Sequence, residues 1–191
     1  MKRIVIFASG SGSNAENLIQ FFNQKKEVAV VQVLTNNPHA QVINRCNRLK
    51  ISCLCFNRTA FYVENHILDI LKTIKPDVIV LAGFLWKFPE SILKEFTNKV
   101  INIHPALLPK YGGKGMYGMH VHEAVVANNE KETGITIHYV NEHYDEGAII
   151  FQASCPVENN DTAAVIAEKI HKLEMEHFPR VVESFLFPNE S

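Results

Sequence analysis

The feature that most constrains this chain is the alternation that runs through its first half. Short β-branched runs (Arg3–Ala8, Val28–Leu34, Cys53–Phe56, Val78–Ala82 and Val100–Ile103) are separated by Asn14–Gln24, Ala40–Leu49 and Phe61–Lys75, whose apolar residues recur at helical spacing. The runs read as buried strands, and the spacers read as amphipathic helices. Strand–helix–strand repeats of this kind predict right-handed βαβ units on a mostly parallel sheet, with helices on both faces.

The pattern changes late in the chain. Gly134–Val140 and Ala148–Ala153 are separated only by Asn141–Gly147. That is too short for a helical crossover, so the two strands are expected to pair antiparallel or to lie at the sheet margin. Asp161-Thr162 should start a helix from Ala163 to about Phe178, where Pro179 is expected to bend or end it. The fold class read from this is α/β, single-domain and Rossmann-like. The sheet is predominantly parallel with an antiparallel C-terminal portion, and residues 1–191 are expected to form one domain.

Composition narrows the function classes. With 47% apolar residues and a formal charge of −1, the chain is neither disordered nor a carrier of a basic field, so no nucleic-acid or membrane partner is expected. Cysteines 46, 53, 55 and 155 lack paired metal or disulfide spacing and read as reduced thiols in a cytoplasmic protein. His120 and His122 flank Val121 without an acidic or cysteine cluster, so no metal site is expected. The sequence is compatible with a monomer or a homodimer.

The first strand stops at Ser9-Gly10-Ser11-Gly12-Ser13-Asn14. A glycine-rich turn between strand and helix brings backbone amides close to an anion, where the free N–H groups of the helix start add partial positive charge. Ser13-x-x-Glu16 also reads as a capping box. A dinucleotide site would carry an acid about 20 residues on, for the ribose. The stretch "VQVLTNNPHA" has none. The loop reads as the seat of one phosphate monoester.

"VINIHPALLPKYGG" is the richest stretch. In an extended strand Asn102 and His104 project to the same side. They end the fifth strand, where ligands collect in open α/β sheets. An amide donor beside an imidazole can polarise a carbonyl and then hold its oxyanion. Asp145, in the tight loop before Gly147, is expected to reach His104, raise its pKa and favour imidazolium. His138, on a strand of alternating apolar residues, reads as a structural histidine.

The segments GSGSN, LAGFLWKFP, NIHPALLPKY and HYVNEHYDEGAIIFQ occur in this order across nearly the whole chain. In them the chain resembles the folate-dependent formyltransferase superfamily, and within it the members that formylate glycinamide ribonucleotide in purine synthesis. The GSGSN loop, and the lack of the extra domains carried by methionyl-tRNA formyltransferase and formyltetrahydrofolate deformylase, support that placement. The resemblance implies 10-formyltetrahydrofolate as co-substrate and Asn102, His104 and Asp145 as the catalytic trio. It implies that Gly12, Ser13, Asn14 and Ala15 hold the ribonucleotide phosphate and that Glu174 meets the glycinamide end. It implies folate contacts from Arg58, Leu85, Trp86, Lys87, Phe88, Asn102 and Asn141, and a cis peptide before Pro109. Three features depart from the family pattern: a longer glycine-rich loop between Tyr111 and His122, Trp86-Lys87, and His171. Two other readings remain open. One is a sister formyltransferase or hydrolase acting on another amine or on water. The other is a nucleotide-binding module without activity, which leaves the trio unexplained.

Overall fold

The computed structural model describes residues 1–188. In chain order the elements are β1 (Lys2–Phe7), α1 (Ser13–Phe22), β2 (Val28–Thr35), α2 (Gln41–Leu49), β3 (Cys53–Cys55), α3 (Arg58–Tyr62), α4 (His66–Ile74), β4 (Val78–Leu81) and α5 (Glu90–Glu95). They continue with β5 (Val100–His104), α6 (Met119–Ala127), β6 (Glu132–Tyr139), β7 (Ile149–Pro156) and α7 (Ala163–Leu186). One seven-stranded sheet runs in the order β3-β2-β1-β4-β5-β6-β7. β1 through β5 are mutually parallel, and β6 and β7 are antiparallel, as the short connection between them required.

Alternation along β1 sorts the core into two layers. Ile4, Ile6 and Ala8 pack with Leu18 of α1, Val42 of α2 and Ile166, Ile170 and Phe178 of α7. Val5 and Phe7 face the other way, onto Phe61, Ile67, Leu71 and Ile92 of α3, α4 and α5. The strand order reverses between β1 and β4. There the loops that follow the two strands lie side by side: Ser9 donates its amide to the Gly83 carbonyl at 3.0 Å, and its hydroxyl accepts from the Leu85 amide at 3.0 Å. A crevice opens at this point, where side chains at the carboxyl ends of the strands can meet a ligand.

Three expectations need correction. Phe61–Lys75 is two helices: Asn57 caps α3 through Ala60 N–H, and Asn65, at φ 55°, breaks the chain before α4. Pro179 does not end α7. It cannot hydrogen-bond the Met175 carbonyl four residues back, and Asn17 Nδ2 on α1 donates to that carbonyl instead, at 2.9 Å. The freed acceptor is satisfied by a neighbouring helix, so α7 continues to Leu186. Ser13-x-x-Glu16 is not a capping box, because Gly12 occupies the cap position without a side-chain bond and Glu16 turns to Arg45 and Arg48. The two short helices α5 and α6 had no clear periodicity to announce them.

Candidate active site

β5 ends with Asn102 half-buried and His104 only 3% exposed. Asp145 comes from the β6–β7 hairpin, whose antiparallel return brings it to the same end of the sheet. Its backbone sits at φ 58°, a region that costs a non-glycine residue some energy and that Asp tolerates better than most. Asp145 Oδ2 lies 3.6 Å from His104 Nδ1 and accepts the Gly113 amide at 2.9 Å, while Oδ1 lies 3.5 Å from Asn102 Nδ2. The three predicted catalytic residues therefore meet.

Hydrogen bonding fixes the ring states. His104 Nε2 is 2.7 Å from the Tyr111 carbonyl, which can only accept, so this nitrogen carries the proton. Burial is the largest influence on His104 and lowers its pKa, outweighing the opposing pull of Asp145 and of the Tyr111 carbonyl. The expectation that Asp145 would hold His104 as imidazolium is thereby overturned: desolvation of the cation costs more than the carboxylate returns. Asp145 itself is raised by burial, but His138, His104 and the Gly113 amide together hold it below its ordinary value.

His138 was missed as a member of this cluster. It is Asn102's register partner across β5 and β6. Its Nδ1–H donates to the Tyr139 carbonyl at 2.8 Å, and its Nε2 stands 3.1 Å from Asn102 Nδ2 and 3.5 Å from Asp145 Oδ1. The Asn102 amide nitrogen is thus turned inward, toward His138 and, in a long, weak contact, toward Asp145. Strand register decides this contact, and a single sequence carries no signal for it.

A cavity of about 760 Å³ runs from this cluster to the glycine-rich loop. Gly10 to Asn14 line one end, with His171 and Glu174 of α7 opposite, and Lys114, Tyr117 and the glycines around them form a side wall. Ala15 is fully buried in the core, so it offers only its backbone. Gly12 adopts φ 74°, and a Cβ there would lie 2.5 Å from Val42 Cγ2. Asn14 Nδ2 donates to Glu174 Oε2 at 3.0 Å, and His171 Nδ1 stands 3.8 Å from the same oxygen. Burial pushes the Glu174 carboxyl up to about 7, against the smaller opposing effect of Asn14.

Asn102 and Asp145 also line a second, smaller crevice of about 60 Å³, walled by Trp86, Lys87, Phe88, Asn141 and Tyr144. Leu85 lies on the cavity side of this wall, half-exposed. Phe88 belongs to the aromatic core, its ring 5.1 Å from that of Phe7. Asn141 accepts the His143 amide at 3.0 Å, which shapes the hairpin loop. Arg58 stands apart. Its guanidinium lies 4.8 Å over the Trp86 ring, in an outer groove separated from the crevice by Trp86, and Arg58 itself lines neither the cavity nor the crevice. The Leu108–Pro109 peptide is cis. All four cysteines are free thiols, and no helix among the described residues is long and apolar enough to cross a membrane.

The doubly wound sheet carries an amide–imidazole–carboxylate cluster at its strand ends, and the sequence profile described as formyl transferase matches residues 2–182. The chain belongs to the formyl transferase family and is an enzyme of it, with formyl transfer as its chemistry. It is 33% identical to the phosphoribosylglycinamide formyltransferase of Bacillus subtilis (strain 168), over 97% of this chain and 95% of that one. It is 35% identical to the chloroplastic phosphoribosylglycinamide formyltransferase of Vigna unguiculata, over 96% of this chain but only 60% of the relative's length. The crystal structure of the phosphoribosylglycinamide formyltransferase of Anaplasma phagocytophilum superposes with a TM-score of 0.88 at 32% identity, over 97% of this chain and 87% of that one.

Proposed function

We propose that this chain transfers the formyl group of 10-formyltetrahydrofolate to the amine of glycinamide ribonucleotide in purine synthesis, with residues 1–191 acting as a single domain. One observation carries the reading. Asn102, His104 and Asp145 meet where a long cavity ending in an amide-rich loop adjoins a crevice walled by Trp86 to Phe88 and Asn141. Two substrates entering from opposite sides would meet at the three side chains.

In this reading the phosphate sits on the amides of Gly12 to Ala15 at the start of α1, and Glu174 with Asn14 receives the donor groups further along the substrate. The pterin follows the backbone of Leu85 to Phe88 and Asn141. As it stands the crevice is too small for two fused rings, so admission requires the exposed Tyr144 and His143 side chains to turn outward. Arg58, on the outer side of Trp86, is left with the far end of the folate at most. Four free thiols fit a reducing, cytoplasmic setting.

The chemistry follows from the protonation states. The neutral amine attacks the formyl carbon, and charge develops on the formyl oxygen. Asn102 gives that oxygen the N–H it holds only weakly against Asp145, while His138 keeps the amide turned. His104 starts neutral, so its Nδ1 accepts the proton that the attacking nitrogen releases. The imidazolium then lies beside Asp145 and the oxyanion, and both stabilise it. As the bond from carbon to folate N10 breaks, His104 returns the proton to N10, and tetrahydrofolate leaves. The test is an ultraviolet assay of folate deformylation with and without glycinamide ribonucleotide. Turnover that depends on the ribonucleotide is expected. Deformylation without it would indicate a hydrolase, and no turnover in either case would overturn the reading.

A further inference from the structure

A glycine-rich loop attracts an anion only if its amides face the ligand, and this requires its carbonyls to face elsewhere. Here two of those carbonyls are held from α2. The Val42 amide donates to the Gly10 carbonyl at 3.2 Å, and Arg45 Nε–H donates to the Ser11 carbonyl at 2.7 Å. Arg45 is fixed in turn by an ion pair through Nη1 to Glu16, in the first turn of α1, and Arg48 takes the other Glu16 oxygen. Burial alone would push the Glu16 carboxyl up, but the two guanidiniums outweigh it and hold it low. Arg45 thus ties together the loop, the helix it starts and the helix behind it. It does not line the cavity, and its charge is largely answered by Glu16.

We propose that Arg45 is a positioning residue for phosphate recognition: by holding the Ser11 carbonyl away from the cavity it aims the amides of Gly12 to Ala15 inward. The inference rests on the loop being the seat of the ribonucleotide phosphate. A planar guanidinium with several donors can serve a carbonyl and a carboxylate at once, whereas a lysine ammonium on a flexible stem does so poorly. A Ser11 carbonyl released from Arg45 is free to turn toward the cavity, where it repels a phosphate.

The experiment compares kcat/KM for glycinamide ribonucleotide and for the same compound lacking its phosphate, in the wild type, Arg45→Met, Arg45→Lys and Arg48→Met. Arg45→Met should lower the preference for the phosphorylated substrate about tenfold, through KM for that substrate. Turnover, KM for folate and the rate on the dephosphorylated compound should be kept. Arg45→Lys should restore only part of the preference, and Arg48→Met, which leaves the Ser11 bond in place, should keep it. An unchanged preference in Arg45→Met, an equal loss on both substrates, or full recovery by Arg45→Lys would overturn the proposal. The last outcome would mean that charge alone matters. Should Arg45→Met fail to fold, Arg45→Lys carries the test, with a preference equal to wild type as the overturning result. A wild-type enzyme indifferent to the phosphate would instead refute the assignment of the loop, and the role of Arg45 would fall with it.

Discussion

Replacing Glu174 by glutamine should make the protein more stable above pH 7 while weakening its hold on substrate. The carboxyl ionises near 7 in the fold against an ordinary 4.5, because burial penalises its charge. At about 1.4 kcal/mol per pKa unit, the folded chain holds that proton more tightly by about 3 kcal/mol. The sign follows directly. The contribution is fully present below pH 4.5, where the group is protonated whether folded or not, and is lost as pH rises through 7. A glutamine side chain at this position keeps the shape and the bond from Asn14 but never has to ionise. Thermal unfolding from pH 4 to 8.5 should therefore give coincident midpoints at the acid end. The variant should pull ahead between pH 4.5 and 7, with a gap of roughly 6–12 °C that levels off above 7. The figure is an upper one, since the cavity admits water beside the carboxyl. In the same variant KM for the ribonucleotide should rise, because a neutral amide is the weaker acceptor for substrate donors. Coincident curves at every pH, or a variant less stable than wild type at pH 8, would refute the argument that an ionised carboxylate is being held in a buried place.

Asn102→Ala should lower kcat by about 10²–10³ with both KM values largely kept; a rise in KM alone would make it a ground-state contact. Asp145→Asn should lower kcat by about 10²–10⁴ and shift His104 to a still lower pKa, since the carboxylate is one of the influences raising it. NMR titration of the His104 ring in both proteins checks the direction. The acid limb of the wild-type pH–rate profile should lie below the ordinary imidazole value, because catalysis needs neutral His104 and burial lowers its pKa; an acid limb above that value would refute this. Gly12→Ala should destabilise the protein by about 1–2 kcal/mol from its positive φ alone, and more from the contact with Val42, in denaturant unfolding. It should raise KM for the ribonucleotide far more than KM for folate.

Sheet class, strand set and the parallel-to-antiparallel change were legible because each rests on local spacing: β-branched runs, helical periodicity, and a hairpin too short for a crossover. Asn102 and His104 were legible for the same reason, as alternate residues of one strand. His138 was not, because its role depends on which residue faces it across β5 and β6, and register is a property of two segments. The protonation of His104 was misjudged because a carboxylate neighbour can be read from a motif, whereas the depth of burial that outweighs it comes from the packing of the whole domain. Glu16 looked like a cap because the competing arginines lie on another helix. Pro179 looked like a stop because the donor that relieves it, Asn17, lies on α1.

The far wall of the cavity is a seam between the two ends of the chain. Asn14 and Glu174 touch across it although they lie 160 positions apart, and Asn17 reaches Met175 beside them. A ribosome adding about 5–20 residues per second synthesises Asn102, His104 and Asp145 before α7. A growing or truncated chain can therefore carry every reactive side chain and still lack the surface that holds a ligand's far end. Any molecule bridging α1 and α7 then acts as a late staple. It favours chains in which α7 is formed and docked, and adds its binding free energy to their stability by mass action. For this architecture, occupancy by such a molecule marks a chain in which α7 has docked on α1.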